Sequence, residues 1–307
     1  MKVGIVGTGL VGAAAANALV LRGVPTELVL VDVDERRAEA EAADIAHVTP
    51  FASPVRVRAG HTADLEGAGV VVVTAGKAQA PGESRLDLLD ANAGIVASIV
   101  SDVLRHAPDA LLLIATNPVD LMTSVAERVA ADAGAPDGRV LGTGTMLDTA
   151  RFRQIVAAAI GVDVPHVHAY VVGEHGDSEV LAWSSLEVAG RPLAEFAAAM
   201  GGSFTDEDRQ RVEDEVVHAA DRIIEGKGAT SFGVGAVIAW VVDAILRDRR
   251  SVLTVSGTTT EYGCALSLPR LVSGAGIVRT LGVSMDADEE GRLRRSAEIL
   301  REHLGRL

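Results

Sequence analysis

Lys2-Val3-Gly4-Ile5-Val6-Gly7-Thr8-Gly9-Leu10-Val11-Gly12 opens the chain, and Asp32 stands twenty residues beyond Gly12. Residues 2–6 form a short apolar run of the kind buried on both faces of a parallel sheet. Gly7, Gly9 and Gly12 follow where a strand would turn into a helix. In that setting one glycine allows a tight turn, one lets a diphosphate approach the backbone, and one lets helix and strand pack closely. The free N–H groups and the positive end of the helix dipole attract the anion. Asp32 ends the next apolar run, where a carboxylate can accept hydrogen bonds from ribose hydroxyls. A 2′-phosphate would meet like charge there, with Asp34 nearby, so the pattern points to NAD rather than NADP.

Outward from this stretch, apolar runs recur at residues 28–33, 70–75, 111–115 and 139–142. Helical patterns lie between them at 9–22, 35–47, 87–106 and 119–132. Strand and helix alternating at this spacing imply right-handed crossovers and a doubly wound parallel sheet, an α/β fold. After about residue 145 the rhythm changes. Helices are expected near 147–160, 205–226, 232–247 and 286–304, with strands near 166–172, 251–256 and 265–272. The expectation is therefore a dinucleotide-binding domain over residues 1–145 and a mixed α+β domain over 146–307. Arg270, Arg247 and the acidic stretch 286–290 read as solvated surface.

Composition excludes several functions. The 307 residues carry 28 Lys plus Arg against 42 Asp plus Glu, a formal charge of −14, which is unsuited to neutralising a phosphate backbone. Five Phe, two Tyr and two Trp leave little for stacking bases. Cys264 is the only cysteine, so neither an internal disulfide nor a thiolate zinc cluster is expected, and a reducing, cytoplasmic setting fits. The uncharged stretch 3–21 has a superficial likeness to a secretory signal, but Gly4, Gly7, Gly9 and Gly12 break the helix such a signal needs. The apolar run 232–242 is too short to span a bilayer, and no membrane or nucleic-acid partner is expected.

Three further segments carry chemistry. Gly173-Glu174-His175-Gly176-Asp177-Ser178 follows a strand, and Leu147-Asp148-Thr149-Ala150-Arg151-Phe152-Arg153 sets Asp148 and Arg151 on one helical face. Read separately, these are a turn histidine and a helical salt bridge. Read together, they supply a proton carrier in His175, a carboxylate to raise its pKa in Asp148, and a two-pronged carboxylate clamp in Arg151. The loop 76–87 overhangs the carboxyl edge of the sheet. It is expected to be a mobile lid that brings Arg85 against a reacting carbonyl oxygen, which Asn117 of Thr116-Asn117-Pro118 also reaches.

The order and spacing of these motifs, with Pro81-Gly82-Glu83-Ser84-Arg85 and Asn117-Pro118-Val119-Asp120, resemble the L-lactate/malate dehydrogenase family over nearly the whole chain, most closely its bacterial L-lactate branch. The resemblance implies a Rossmann domain followed by a catalytic domain. It makes His175 the acid/base, Asp148 its partner, Arg85 the residue that polarises the carbonyl, Arg151 the carboxylate anchor and Asn117 an assistant. Gly7, Gly9, Gly12, Asp32 and Asn117 hold NAD, and no metal is required.

Pyruvate and L-lactate are the implied substrates. In the family the lid position matched by Gln79 tends to be Arg where oxaloacetate is the substrate. A neutral Gln79 leaves the second carboxylate of oxaloacetate unpaired in a closed pocket, which costs several kcal/mol. Thr230 matches a position lining the methyl side of the substrate. Malate or another 2-hydroxy acid is the competing reading, and a non-catalytic NAD sensor the remote one. A sensor would not need His175, Asp148, Arg151 and Arg85 together. The resemblance also implies a homotetramer, and a fructose 1,6-bisphosphate effector held between subunits by Arg153 and His168.

Overall fold

A computed structural model describes residues 1–77 and 85–307, with the side chains of 85–88 set aside; Gln79 and the Arg85 side chain therefore lie outside the described residues. The first half alternates as read: β1 (Lys2–Val6), α1 (Leu10–Leu21), β2 (Glu27–Val31), α2 (Glu35–Ala46), β3 (Arg56–Ala59), β4 (Ala68–Val73), α3 (Arg85–His106), β5 (Leu111–Ile114), α4 (Val119–Asp132) and β6 (Val140–Gly142). Then follow α5 (Met146–Ile160), β7 (Val167–His168), β8 (Val171–Val172), β9 (Val180–Leu181), β10 (Glu187–Val188), β11 (Arg191–Pro192), α6 (Leu193–Ala199), α7 (Asp206–Val217), α8 (Ala219–Lys227), α9 (Phe232–Leu246), β12 (Ser251–Thr258), β13 (Ala265–Ser273), β14 (Gly276–Thr280) and α10 (Ala287–Leu304).

The strands are continuously apolar because both faces of the sheet are covered. Alternate residues feed two cores: Val70, Val72, Leu111 and Leu113 face one, and Val71, Val73, Leu112 and Ile114 the other. Among the described residues one sheet runs in the order β14-β13-β12-β6-β5-β4-β1-β2-β3. Strands β1 to β6 pair in parallel, with Val3 beside Leu28 on one side and Val70 on the other. The antiparallel β12–β14 then extend this sheet through Ser256 opposite Gly142, so strands from both halves of the chain share it. A third core, built on Phe152, Val156, Val171, Leu186 and Val212, belongs to the later half.

Several details differ from the sequence expectation. β3 was not anticipated because Arg56 and Arg58 alternate with small apolar residues on an edge strand; Arg58 is held by Glu27 at 2.9 Å and Asp64 at 3.0 Å. β14 was also not anticipated. The helix expected over 205–226 divides at His218 into α7 and α8. Arg270 is not solvated surface: it is 1% exposed in β13, donating to the carbonyls of Val255, Gly257 and Leu266 and to the Thr280 hydroxyl. Glu289, within the stretch read as solvated, is likewise buried and accepts from the Ser184 amide, while Asp286 caps α10. Arg247 is half exposed and pairs with the buried Asp243 at 2.6 Å.

Candidate active site

β4, β1 and β5 lie side by side and parallel, so their carboxyl ends bring the glycine turn, the segment after Ala75 and Asn117 to one edge. The three glycines have distinct surroundings. Gly7 has φ +100°, and a Cβ there would sit 2.5 Å from the Ala75 amide nitrogen. At Gly12 a Cβ would lie 2.0 Å from the Gly7 carbonyl oxygen, so the helix packs on the turn only without a side chain. Gly9, which caps α1 without any side-chain bond, faces open space: nothing lies within 4 Å of its built Cβ. Free amides at the start of α1 beside an open approach fit a diphosphate.

Asp32 ends on the same edge. Its carboxylate accepts from the Thr8 amide at 2.6 Å, the Thr8 hydroxyl at 2.9 Å and the Asp34 amide at 3.0 Å. Burial disfavours its charge, but these bonds outweigh it and hold the carboxyl below its ordinary range. An ionised carboxylate here suits ribose hydroxyls and repels a phosphate. The residues present fit NAD.

The reactive cluster is assembled by α5 and the loop after β8. The start of α5 is tied down by Thr145, whose hydroxyl donates to the Val171 carbonyl at 2.5 Å and whose amide donates to Ser267. Thr149 accepts from the Val171 amide at 3.0 Å. The loop is fixed amide by amide: Gly173 donates to the Ser267 carbonyl, Glu174 to the Ser296 hydroxyl and His175 to Asp120 at 2.7 Å. As a result His175 Nδ1 lies 2.6 Å from Asp148 Oδ2, while Arg151 donates to Asp148 Oδ1 at 2.9 Å. Asp148 is almost fully buried, and His175 is 29% exposed at the side chain.

Burial alone would lower the His175 pKa, but the adjoining Asp148 carboxylate, then Asp120 and Glu179, raise it to about 9. Asp148 stays below its usual range: burial opposes its charge, and the His175 imidazolium and Arg151 overcome that. With Nδ1 engaged, Nε2 is the nitrogen left to exchange a proton with a substrate. Arg151 and Thr230 both line a largely apolar cavity of about 790 Å³. Asn117 is exposed, and its carbonyl accepts from the buried Asn92 at 3.0 Å, which also binds the Lys77 amide. Arg153 donates to the Ala169 carbonyl at 2.9 Å and lies over the Tyr170 ring; His168, exposed in β7, precedes Ala169.

Two residues at the site carried no role in the sequence reading. Asp120 bridges His175 and the Ser256 hydroxyl, and burial pushes it up to about 6 against those bonds. Its place in the first turn of α4 looks like an ordinary helix-start acid. Glu179 lies just past the Gly173–Ser178 motif, in a segment without helical or strand periodicity to show which way it faces.

Known proteins resemble this chain along nearly its whole length. The profile for the NAD binding domain of lactate/malate dehydrogenase matches residues 1–142, and that for the lactate/malate dehydrogenase alpha/beta C-terminal domain matches 145–306. An L-lactate dehydrogenase of Thermus aquaticus is 56% identical over 305 residues, covering 98% of this chain and 97% of that protein. One from Deinococcus radiodurans is 53% identical over 301 residues, covering 98% and 97%. Among solved structures, a minor L-lactate dehydrogenase from Enterococcus mundtii superposes with a TM-score of 0.94 at 38% identity, covering 99% of this chain and 97% of that one. A lactate dehydrogenase from a Medee basin deep-sea metagenome gives 0.95 at 36% identity, covering 99% and 98%. Matched at this level from end to end, the chain belongs to the lactate/malate dehydrogenase family.

Proposed function

We propose that this protein interconverts pyruvate and L-lactate with NAD as its redox partner. The observation that carries the reading is the His175–Asp148–Arg151 constellation, a raised imidazole and a guanidinium each hydrogen-bonded to one buried carboxylate. Relatives at 56% and 53% identity that are L-lactate dehydrogenases support the choice of substrate. NADH, when bound, supplies the hydride for the carbonyl carbon. His175 gives its Nε2 proton to the carbonyl oxygen, help worth roughly 10²–10⁴ in rate, and takes it back in the reverse direction. Asp148 holds the imidazolium and fixes the ring. Arg151 pairs with the substrate carboxylate in a partly dry site, where a two-pronged contact also orients the reacting carbon. Thr230 bounds the methyl side.

By family likeness, Arg85 polarises the carbonyl with Asn117, and neutral Gln79 disfavours a second carboxylate. His175→Asn tests the assignment: NADH binding is retained and turnover is lost, whereas undiminished turnover would remove His175 from the mechanism.

A homotetramer is part of this reading. Phe232 and Trp240 on α9 and Leu10 and Leu21 on the adjoining α1 are exposed apolar residues of the kind further copies would cover. Arg153 and His168 are assigned to a fructose 1,6-bisphosphate site between subunits; identical pyruvate curves with and without the sugar bisphosphate would contradict this. The cytoplasm is the compartment that suits a lone, buried Cys264. Among the described residues no helix is long and apolar enough to cross a membrane.

A further inference from the structure

The mechanism uses one carboxylate beside His175, yet a second lies within reach. Glu179 is 6% exposed, and its Oε1 is buried without a hydrogen-bond partner. Ligand atoms of Asp148, His175 and Glu179 all lie within 4.8 Å of one another. The surrounding charges come from several elements. Asp148 and Arg151 face Glu179 from α5, Glu174 and His175 from its own loop, and Asp120 of α4 acts on the same imidazole. From α10 comes the uncharged Ser296 hydroxyl, taken up by the Glu174 amide and Ser178.

A buried carboxylate with an unsatisfied oxygen and another carboxylate beside it is held in its neutral form. Burial pushes Glu179 up to about 8, with Asp148 adding to the rise and His175 and Arg151 opposing it. Glu179 and His175 therefore titrate as interacting neighbours, the carboxyl raised by burial and the ring by the carboxylates around it.

We propose that Glu179 is a positioning residue that acts through His175: its carboxyl, with Oε1 unpartnered, lies beside the same imidazole as Asp148 and, once ionised, holds the proton on that ring. In neutral solution Asp148 and Asp120 are, among the described residues, the ionised carboxylates that stabilise the imidazolium. As the medium turns alkaline, Glu179 ionises and adds a further negative charge, extending the range in which His175 can donate. The same charge delays the appearance of the neutral imidazole that lactate oxidation requires.

This rests on the proposed reaction, and the test separates the two. In Glu179→Gln, the alkaline limb of kcat/KM for pyruvate reduction and the acid limb for lactate oxidation are expected to move together to lower pH by about one unit. The His175 imidazole, followed by NMR without substrate, is expected to shift by the same amount. Glu179→Asp keeps an ionisable group and should hold both limbs near their wild-type positions; Glu179→Ser replaces the glutamine variant should that fail to fold. Rates that fall while neither limb nor the imidazole titration moves would overturn the proposal, as would an aspartate variant displaced as far as the glutamine one. A wild-type protein that does not turn over pyruvate would instead defeat the reaction, while its imidazole titration would still test Glu179.

Discussion

Replacing Asp148 with Asn removes a charge at almost constant volume and still offers an oxygen to His175 Nδ1. In the native protein that charge lies 2.6 Å from the ring, and the imidazole is lifted from 6.5 to about 9 although burial pulls it the other way. At about 1.4 kcal/mol per pH unit, the net displacement favours the imidazolium by roughly 3 kcal/mol. Asp120 and Glu179 remain in the variant but neither bonds the ring, so most of the lift is lost and the midpoint falls by about 2 units. At pH 8 the native ring is mostly protonated and the variant ring mostly neutral. Pyruvate reduction should lose about tenfold or more from this cause alone, while lactate oxidation extends to lower pH.

The assay is kcat/KM against pH in both directions. Stability carries the same signature. His175 has a folded pKa above its unfolded value, so its contribution is fully present below about 6.5 and is lost as pH rises through about 9. Melting temperatures across that window should fall more steeply in the native protein than in the variant. An alkaline limb that stays in place after Asp148→Asn would refute the reasoning.

The glycine turn makes a paired prediction. Gly12→Ala puts a Cβ 2.0 Å from the Gly7 carbonyl and should destabilise the fold by about 1–3 kcal/mol or more, measured by thermal melting. Gly9→Ala meets no atom within 4 Å, so it should melt normally yet bind NADH poorly by fluorescence titration; wild-type affinity would contradict the diphosphate approach. Arg270→Met should cost about 2–4 kcal/mol by stranding the carbonyls it now satisfies, with the activity of the folded enzyme unchanged.

The parallel half of the fold was legible because burial on both faces leaves a plain trace: Val70–Val73 and Leu111–Ile114 are apolar without interruption. Gly7 and Gly12 were legible because backbone geometry restricts residue type there, and Asp32 by its place just past β2. Arg270 was misread because a charged residue reads as surface, and only the β12–β13 pairing shows the carbonyls that receive it. Asp120 and Glu179 escaped notice for a related reason. Their importance comes from facing His175 across separate elements, a proximity set by tertiary packing and absent from local spacing. Asp148 and Arg151 were found because they share one helix turn.

NADH oxidation by the purified protein, with pyruvate and oxaloacetate compared side by side and again in Gln79→Arg, tests the account most directly. Pyruvate should be much preferred by the native protein, and the preference should move toward oxaloacetate once a guanidinium stands at position 79. A native protein that prefers oxaloacetate, or that oxidises NADH with neither, would contradict it.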